Sequence, residues 1–161
     1  MDRIKLLVGS GFGVGYAPVA PGTLASLVAL LPLYWIITSH NLLLLPALLL
    51  LFCALTLWVS SSFEERFGKD PAKLVTDEWA GQFLTFSGIS FTGIFSSDIL
   101  FLLTGFVLFR LFDIWKPLGI KRIQNLHSGW GVLADDLVAG FYALICLKTL
   151  TFVWPNYFGI I

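Results

Sequence analysis

The feature that most constrains this chain is a long stretch without any charge. Between Lys5 and Glu64 there is no Asp, Glu, Lys or Arg, and fifteen of the twenty charged residues lie in two windows, 64–78 and 110–136. Soluble domains contain about 25% charged residues, whereas this chain contains 12%, beside 57% hydrophobic residues. The sequence therefore predicts one integral membrane domain over residues 1–161, since the chain is too short for two domains. Charges are costly in such surroundings, so we expect the two windows to form a site.

Five apolar segments are candidates for helices that cross the membrane or lie within it. They are 24–37, 42–63, 79–95, 99–112 and 137–154. A spanning helix needs about 20 apolar residues, so only the second and the last segments are long enough as simple spans. The shorter ones are expected to be tilted, re-entrant or packed inside the bundle. The expected fold is all-α, a polytopic membrane bundle with about four to five apolar segments.

The basic residues predict which way the chain is oriented. Eight of the ten flank the start or follow the second and fourth apolar segments, and the other two, Arg110 and Lys148, lie within apolar segments. The eight are Arg3, Lys5, Arg66, Lys69, Lys73, Lys116, Lys121 and Arg122. The turns at 40–41 and 96–98 contain neither Lys nor Arg. With five spans, all the basic regions fall on one side, which the positive-inside rule makes cytoplasmic. The charged windows are expected on that same side.

Two pairs of adjacent acidic residues each precede an apolar segment. Asp77 and Glu78 open the third segment, and Asp135 and Asp136 open the fifth. Acidic residues are favoured at a helix N-terminus by about 0.3–1 kcal/mol, so helix capping is one explanation. Capping does not require two such pairs at the same depth of the membrane. Carboxylates that are clustered there also repel one another. A divalent cation such as Mg²⁺ prefers carboxylate oxygens and would remove the repulsion, so all four residues are candidate metal ligands.

A third charged group recurs at a spacing of three residues. Arg110, Asp113 and Lys116 are expected to share one helical face, and Pro117 is expected to end that helix. One explanation is a structural ion pair. The other, which does not exclude the first, is that Arg110 grips phosphate oxygens, Asp113 orients the arginine or the metal, and Lys116 adds a positive charge. His127 is a candidate proton donor or phosphate ligand.

The glycine-rich segment 9–15 allows two interpretations. Its backbone N–H groups could hold an anion, or it is an ordinary loop. It does not have the spacing of a phosphate-binding P-loop, and no strand precedes it.

In chain order, these groups resemble the phosphatidylglycerophosphatase A family. The resemblance is carried by Gly-Phe-Gly and Ala-Pro-Gly-Thr near the start, Asp77-Glu78-x-x-Gly81, Phe109-Arg110-x-Phe112-Asp113-x-x-Lys116-Pro117, and Gly129-x-Gly131-Val132-x-x-Asp135-Asp136-x-x-Ala139-Gly140. The four motifs extend from Gly9 to Gly140 in the family's order. Departures at Ala25, Ser128 and 121–126 concern loop geometry more than the charged groups.

The resemblance implies a helical, Mg²⁺-dependent phosphatase of the bacterial inner membrane. Such an enzyme removes the terminal phosphate of phosphatidylglycerophosphate to give phosphatidylglycerol. The expected catalytic acids are Asp77, Glu78, Asp113, Asp135 and Asp136. All of them except Asp113 are also expected metal ligands. The expected substrate-binding residues are Arg110, Lys116 and His127. The expected partner is a phospholipid in the membrane. The net charge of zero argues against nucleic acid, and the oligomeric state is left open.

Two other classes remain as alternatives. Intramembrane carboxylates also line ion pathways, so a small ion or metabolite transporter is possible, although the charges cluster on one face and the opposite side offers only Asp98 as an acid. An alcohol phosphatidyltransferase would need a series of acids along two adjacent helices, and no further acid follows Asp136 closely. For the phosphatase itself, hydrolysis by an activated water and an aspartyl-phosphate route both stay open.

Overall fold

A computed structural model of the protein describes residues 2–39, 41, 43–89, 92–117, 119–124, 126 and 129–159. Within these ranges the secondary structure is entirely helical, as the sequence predicts. The α-helices are α1 (Asp2–Gly9), α2 (Pro21–Thr38), α3 (Leu44–Phe67), α4 (Thr76–Thr85), α5 (Phe95–Trp115), α6 (Ile120–Ile123) and α7 (Gly129–Val153), and short 3₁₀ turns cover Val14–Tyr16 and Pro155–Phe158.

Three of the described helices are long and apolar enough to cross a membrane. These are α3, α5 and α7, with mean hydropathies of 2.1, 1.7 and 1.6 over their most apolar windows. Helix α2 is apolar over the shorter stretch Pro21–Ile36. The predicted all-α architecture is confirmed for the described residues, whereas the count of about four to five apolar segments is not, since three helices are candidate spans.

Helix α4 lies at the centre of the bundle, although it has only ten residues. It packs against α2, α3, α5 and α7, and these four also contact one another around it. Phe83 of α4 and Phe86, which directly follows this helix, are fully buried in the main apolar core, together with Leu33 of α2 and Phe101 of α5. The third apolar segment, 79–95, thus contributes a short buried helix, which is one of the arrangements expected for the shorter segments.

Helix α4 ends well before the apolar segment 79–95 does, because glycines in the rest of that segment change the direction of the backbone. After Thr85 the chain turns, and Gly88 and Gly93 have φ angles of 66° and 75°. These angles are favourable for glycine and costly for other residues. Helix α5 then begins at Phe95, so residues 96–98 lie in its first turn. The expectation that these residues form a turn between two segments is therefore wrong. The fourth segment is therefore a full-length helix.

Helices α4 and α7 approach each other backbone to backbone. A Cβ atom added to Gly81 would lie 2.8 Å from the carbonyl oxygen of Asp136, and one added to Gly140 would overlap the carbonyl oxygen of Gly81. Small residues permit such close helix contacts in membrane proteins. This crossing brings the first turn of α4, with Asp77 and Glu78, beside the second turn of α7.

The glycines of segment 9–15 fit a packing role. A Cβ atom at Gly9 would overlap the ring of Phe63, and one at Gly15 would overlap the carbonyl oxygen of Lys73. The carbonyl of Gly9 also accepts a hydrogen bond of 2.9 Å from the backbone N–H of Val75. The segment therefore holds the loop that leads into α4.

Candidate active site

A polar cavity of about 350 Å³ lies at one end of the bundle. It is found where α2, α4 and α7 begin and α5 ends, and we call this the cavity end. Its lining residues are Ala20, Pro21, Gly22, Thr23, Asp70, Pro71, Ala72, Leu74, Asp77, Glu78, Arg110, Asp113, Ile114, Lys116, Val132, Asp135 and Asp136. All predicted site residues except His127 are among them. His127 lies outside the described residues, and none of residues 9–15 lines the cavity.

Three carboxylates from three different helices meet in this cavity. Oxygen atoms of Glu78, Asp113 and Asp136 all lie within 4.8 Å of one another. The close crossing of α4 and α7 positions the first and last of these, and the end of α5 supplies Asp113. Three converging hard oxygen donors fit a divalent cation such as Mg²⁺.

The three carboxylates that meet in the cavity are not the two pairs of acids that are adjacent in the sequence. Successive residues on an α-helix point about 100° apart, so both members of an adjacent pair cannot face one point equally. Glu78 and Asp136 belong to the three-carboxylate cluster, whereas Asp77 and Asp135 line the cavity without belonging to that cluster. The expectation that Asp135 and Asp136 open a helix is wrong, because α7 already begins at Gly129. Capping therefore cannot explain this pair.

Asp77 is a buried acid with an unused hydrogen-bonding atom. The residue is only 5% exposed, and its Oδ1 atom accepts no hydrogen bond from the described part of the chain. Burial raises the pKa of Asp77 well above its usual range, and the neighbouring Glu78 raises it further. A buried acceptor without a donor is costly, so this atom would be stabilised by a cation or a proton.

Arg110 lies between two members of the carboxylate cluster. Its guanidinium forms ion pairs with Glu78 and, at 2.9 Å, with Asp113 one helical turn further on. The shared face predicted for Arg110 and Asp113 is therefore present, and so is the structural ion pair. The Nε–H of Arg110 is buried and has no acceptor among the described residues, so one donor of the guanidinium is left without a partner there.

Lys116 follows directly after the end of α5. Its φ angle is 46°, so it leaves the helical path before Pro117, and it forms an ion pair with Asp135 of α7. Burial lowers the pKa of Lys116, but the hydrogen bond and ion pair with Asp135 outweigh burial, so that the pKa is raised. Lys116 is thus a firmly charged ammonium group at the cavity.

The electrostatics of the cavity favour a cation. Burial and the nearby Asp113 raise the pKa of Glu78 to about 7, against the opposing effect of Arg110. Such a carboxylate takes up a proton near neutral pH unless another positive charge approaches. The cavity is lined by six acids and only two basic residues, and a divalent metal ion relieves such an excess of negative charge.

Two residues at the site were missed by the sequence interpretation. Ser26 is fully buried behind the cavity, and its hydroxyl lies 2.9 Å from Oε2 of Glu78. Asp70 lines the cavity and accepts a hydrogen bond from Gln124, which joins the α3–α4 loop to the segment after α6. No sequence signal distinguishes Ser26 from a serine on any apolar helix, and Asp70 resembles an ordinary loop acid.

Comparison with known proteins supports the resemblance found in the sequence. The family model described as phosphatidylglycerophosphatase A matches residues 7–151. Phosphatidylglycerophosphatase A of Escherichia coli K12 is 30% identical over 96% of this chain and 90% of its own length, and that of Haemophilus influenzae is 32% identical over 91% and 88%. A putative phosphatidylinositol-3-phosphatase of Bacteroides thetaiotaomicron is 34% identical over 93% of this chain and 95% of its own length. No solved structure matches the chain significantly. The chain thus belongs to the phosphatidylglycerophosphatase A family.

Proposed function

We propose that this protein is a phosphatase that removes the terminal phosphate of phosphatidylglycerophosphate, giving phosphatidylglycerol, with Mg²⁺ as its cofactor. The observation that carries the proposal is the convergence of Glu78, Asp113 and Asp136 beside Arg110 and Lys116 in one cavity. Carboxylates that bind a metal, next to cations that bind phosphate oxygens, are what hydrolysis of a phosphomonoester requires.

The three-carboxylate cluster is the proposed cation site. Glu78, Asp113 and Asp136 would hold the ion, and the Oδ1 atom of Asp77, which has no hydrogen-bond partner among the described residues, would be a further oxygen ligand. When bound, Mg²⁺ neutralises developing charge on the phosphate and makes water a stronger nucleophile near neutral pH. The proposed ligands therefore differ from the four acids that the sequence suggests. Asp113 is added as a ligand, and Asp135 is instead proposed as the ion-pair partner of Lys116.

The cationic side of the cavity is the proposed phosphate site. Arg110 offers its guanidinium as a donor, and Lys116 adds a point charge that Asp135 keeps in place. The first residues of α2, Pro21–Thr23, line the same cavity, and the N-terminus of a helix attracts anions through its free N–H groups and its dipole. A dianionic phosphate thus meets positive groups on one side and the carboxylate cluster on the other.

An exposed apolar stripe suggests how a lipid reaches the cavity. Ile114 lines the cavity and is also 66% exposed. With Leu103, Val107 and Leu111 it forms an exposed row on α5 at spacings of three and four residues, which places the four side chains on one helical face. The acyl chains of a phospholipid would remain in the membrane beside this row while the phosphate enters the cavity.

The proposed location is the bacterial inner membrane, with the cavity end facing the cytoplasm. Lys69 and Lys73 lie in the loop between α3 and α4, and Lys121 and Arg122 lie in α6. Asp70, within that loop, and Lys116, just before α6, line the cavity. An excess of Lys and Arg near the ends of spanning helices favours the cytoplasmic side.

A role in ion transport has little support from the opposite end of the bundle. Asp98, the acid expected there from sequence, is buried and accepts hydrogen bonds of 2.9 Å from the backbone N–H and the hydroxyl of Thr92. This carboxylate closes the loop before α5, which is a structural role. The phosphatase proposal explains the charged cavity with fewer assumptions.

The test is phosphate release from phosphatidylglycerophosphate in detergent micelles, first with Mg²⁺ and then with excess EDTA. We expect release with Mg²⁺ that stops with EDTA and returns when Mg²⁺ is restored. Release that survives EDTA would contradict the metal-assisted mechanism but leave the substrate in place. No release from folded protein would contradict the proposed function.

A second substrate belongs in the same assay. The relative from Bacteroides thetaiotaomicron is named a putative phosphatidylinositol-3-phosphatase, and both lipids carry a phosphomonoester on their headgroup. We expect faster release from phosphatidylglycerophosphate than from phosphatidylinositol 3-phosphate at equal surface concentration. The opposite order would keep the phosphatase chemistry and reassign the headgroup.

A further inference from the structure

Ser26 connects three helices immediately behind the carboxylate cluster. It is fully buried in the second turn of α2. Its hydroxyl oxygen lies 2.9 Å from Oε2 of Glu78 on α4 and 3.3 Å from a terminal nitrogen of Arg110 on α5. It also lies 2.9 Å from the carbonyl oxygen of Gly22, one turn earlier in α2.

The direction of each hydrogen bond follows from the chemistry of its partners. A guanidinium has only donors, so the hydroxyl oxygen of Ser26 accepts from Arg110. The hydroxyl has a single proton, which can go to the carbonyl of Gly22 or to the carboxylate of Glu78. A charged acceptor forms the stronger hydrogen bond. The proton is therefore directed to Glu78, and the hydroxyl links the arginine and the carboxylate.

The turn of α2 that carries Ser26 is itself held in place. The side-chain amide of Gln82, one turn after Glu78 on α4, donates a hydrogen bond of 3.4 Å to the carbonyl of Ser26. Ser26 does not line the cavity, so it would not touch a substrate. Any effect it has on the chemistry must be exerted through Glu78 and Arg110.

We infer that Ser26 is a positioning residue, which holds the carboxylate of Glu78 in the orientation that lets it share a cation with Asp113 and Asp136. This inference rests on the proposed function. Glu78 already pairs with Arg110 through the oxygen that Ser26 contacts. Without the hydroxyl, the guanidinium alone would set the orientation of this carboxylate from outside the carboxylate cluster. The cluster would then lose one well-placed oxygen.

The decisive measurement is cation affinity, determined without substrate. Binding of Mn²⁺, a paramagnetic substitute for Mg²⁺, to purified protein in detergent can be followed by electron paramagnetic resonance. Loss of a hydrogen bond to a charged group is expected to weaken Mn²⁺ binding about tenfold in Ser26→Ala. The Mg²⁺ concentration needed for half-maximal phosphate release should rise by a similar factor, with kcat at saturating Mg²⁺ changed much less.

Matched variants separate positioning from general packing. Ser60→Ala on α3 removes another buried serine hydroxyl, whose bond of 3.2 Å goes to the carbonyl of Leu57 in the same helix, and should bind Mn²⁺ like the unaltered protein. Ser26→Thr keeps the hydroxyl and should restore most of the affinity. Ser26→Cys is nearly isosteric with a weak donor, and it should show the loss if Ser26→Ala does not fold.

The outcomes distinguish this inference from the proposed function. Unaltered Mn²⁺ affinity in Ser26→Ala, beside Mg²⁺-dependent activity in the unaltered protein, would overturn the role of Ser26 and leave the phosphatase assignment standing. A lower melting temperature of Ser26→Ala with unchanged Mn²⁺ affinity would likewise reduce Ser26 to a packing residue. Absence of both Mn²⁺ binding and phosphate release in the unaltered protein would overturn the two proposals together.

Discussion

Replacement of Gly140 by alanine tests whether the close crossing of α4 and α7 sets the geometry of the site. The added Cβ would lie 3.1 Å and 3.2 Å from the carbonyl carbon and Cα of Gly81, and closer still to the carbonyl oxygen. Carbon atoms pack well at about 3.5–4.0 Å. Because the contact is with backbone rather than with a flexible side chain, relief requires the helices to separate by about 0.5–1 Å.

That separation would act directly on the carboxylate cluster. Glu78 lies one turn before Gly81 on α4, and Asp136 lies one turn before Gly140 on α7. Overpacking of this kind costs about 1–3 kcal/mol of folding stability, and a misplacement of about 1 Å in a catalytic group can reduce the rate about 100-fold. We therefore expect Gly140→Ala to fold with a lower melting temperature and to lose about 100-fold in activity per folded molecule.

The assay combines phosphate release with thermal unfolding, and Gly105→Ala on α5 is the matched control. A Cβ atom at Gly105 would overlap the ring of Phe86, which is a side chain in the apolar core. Gly105→Ala should therefore lower the melting temperature while its activity per folded molecule stays close to that of the unaltered protein. Full activity per folded molecule in Gly140→Ala would refute the claim that this crossing positions the cluster.

Three further substitutions test individual side chains. Asp136→Asn removes a charge from the cluster and should reduce phosphate release at least 1,000-fold, which corresponds to about 4 kcal/mol of transition-state stabilisation. Membrane insertion should be unchanged. Activity within tenfold of normal would exclude Asp136 as a metal ligand. Lys116→Met leaves Asp135 buried without its partner, so folding stability should fall by about 1–3 kcal/mol. The KM for the lipid should rise, and an unchanged KM would exclude Lys116 from the phosphate site. Asp98→Ala should lower the melting temperature and leave kcat unchanged, because its hydrogen bonds to Thr92 lie away from the cavity; a loss of kcat would contradict a purely structural role.

The limits of the sequence interpretation are visible in the last apolar segment. Hydropathy predicts a segment over 137–154, but the helix begins at Gly129, because the polar residues before Leu137 face the interior of the bundle and still form helical hydrogen bonds. Hydropathy records the preference of side chains for lipid and does not record where backbone hydrogen bonding begins. For this reason hydropathy predicts the acidic pair at a helix end, whereas the pair lies in the second turn of α7.

Segment 79–95 shows a different limit. Its composition resembles that of a membrane span, yet it forms a ten-residue helix, α4, that the other helices surround. The interruptions at Gly88 and Gly93 were visible in the sequence as signals that it is not a simple span. Its central position was not visible, because burial by neighbouring helices depends on contacts between residues far apart in the chain.

The sequence by itself determined the class of this protein, its family and the chemical groups of its candidate site. Long uncharged apolar segments require helices in a membrane, since backbone groups there must hydrogen bond within their own segment. Only the tertiary structure decided which acids meet. Glu78, Asp113 and Asp136 come from three helices, and their convergence depends on the backbone contact between Gly81 and Gly140. Adjacent residues of one helix diverge by about 100°, so a pair of neighbouring acids in sequence need not act as a pair in space.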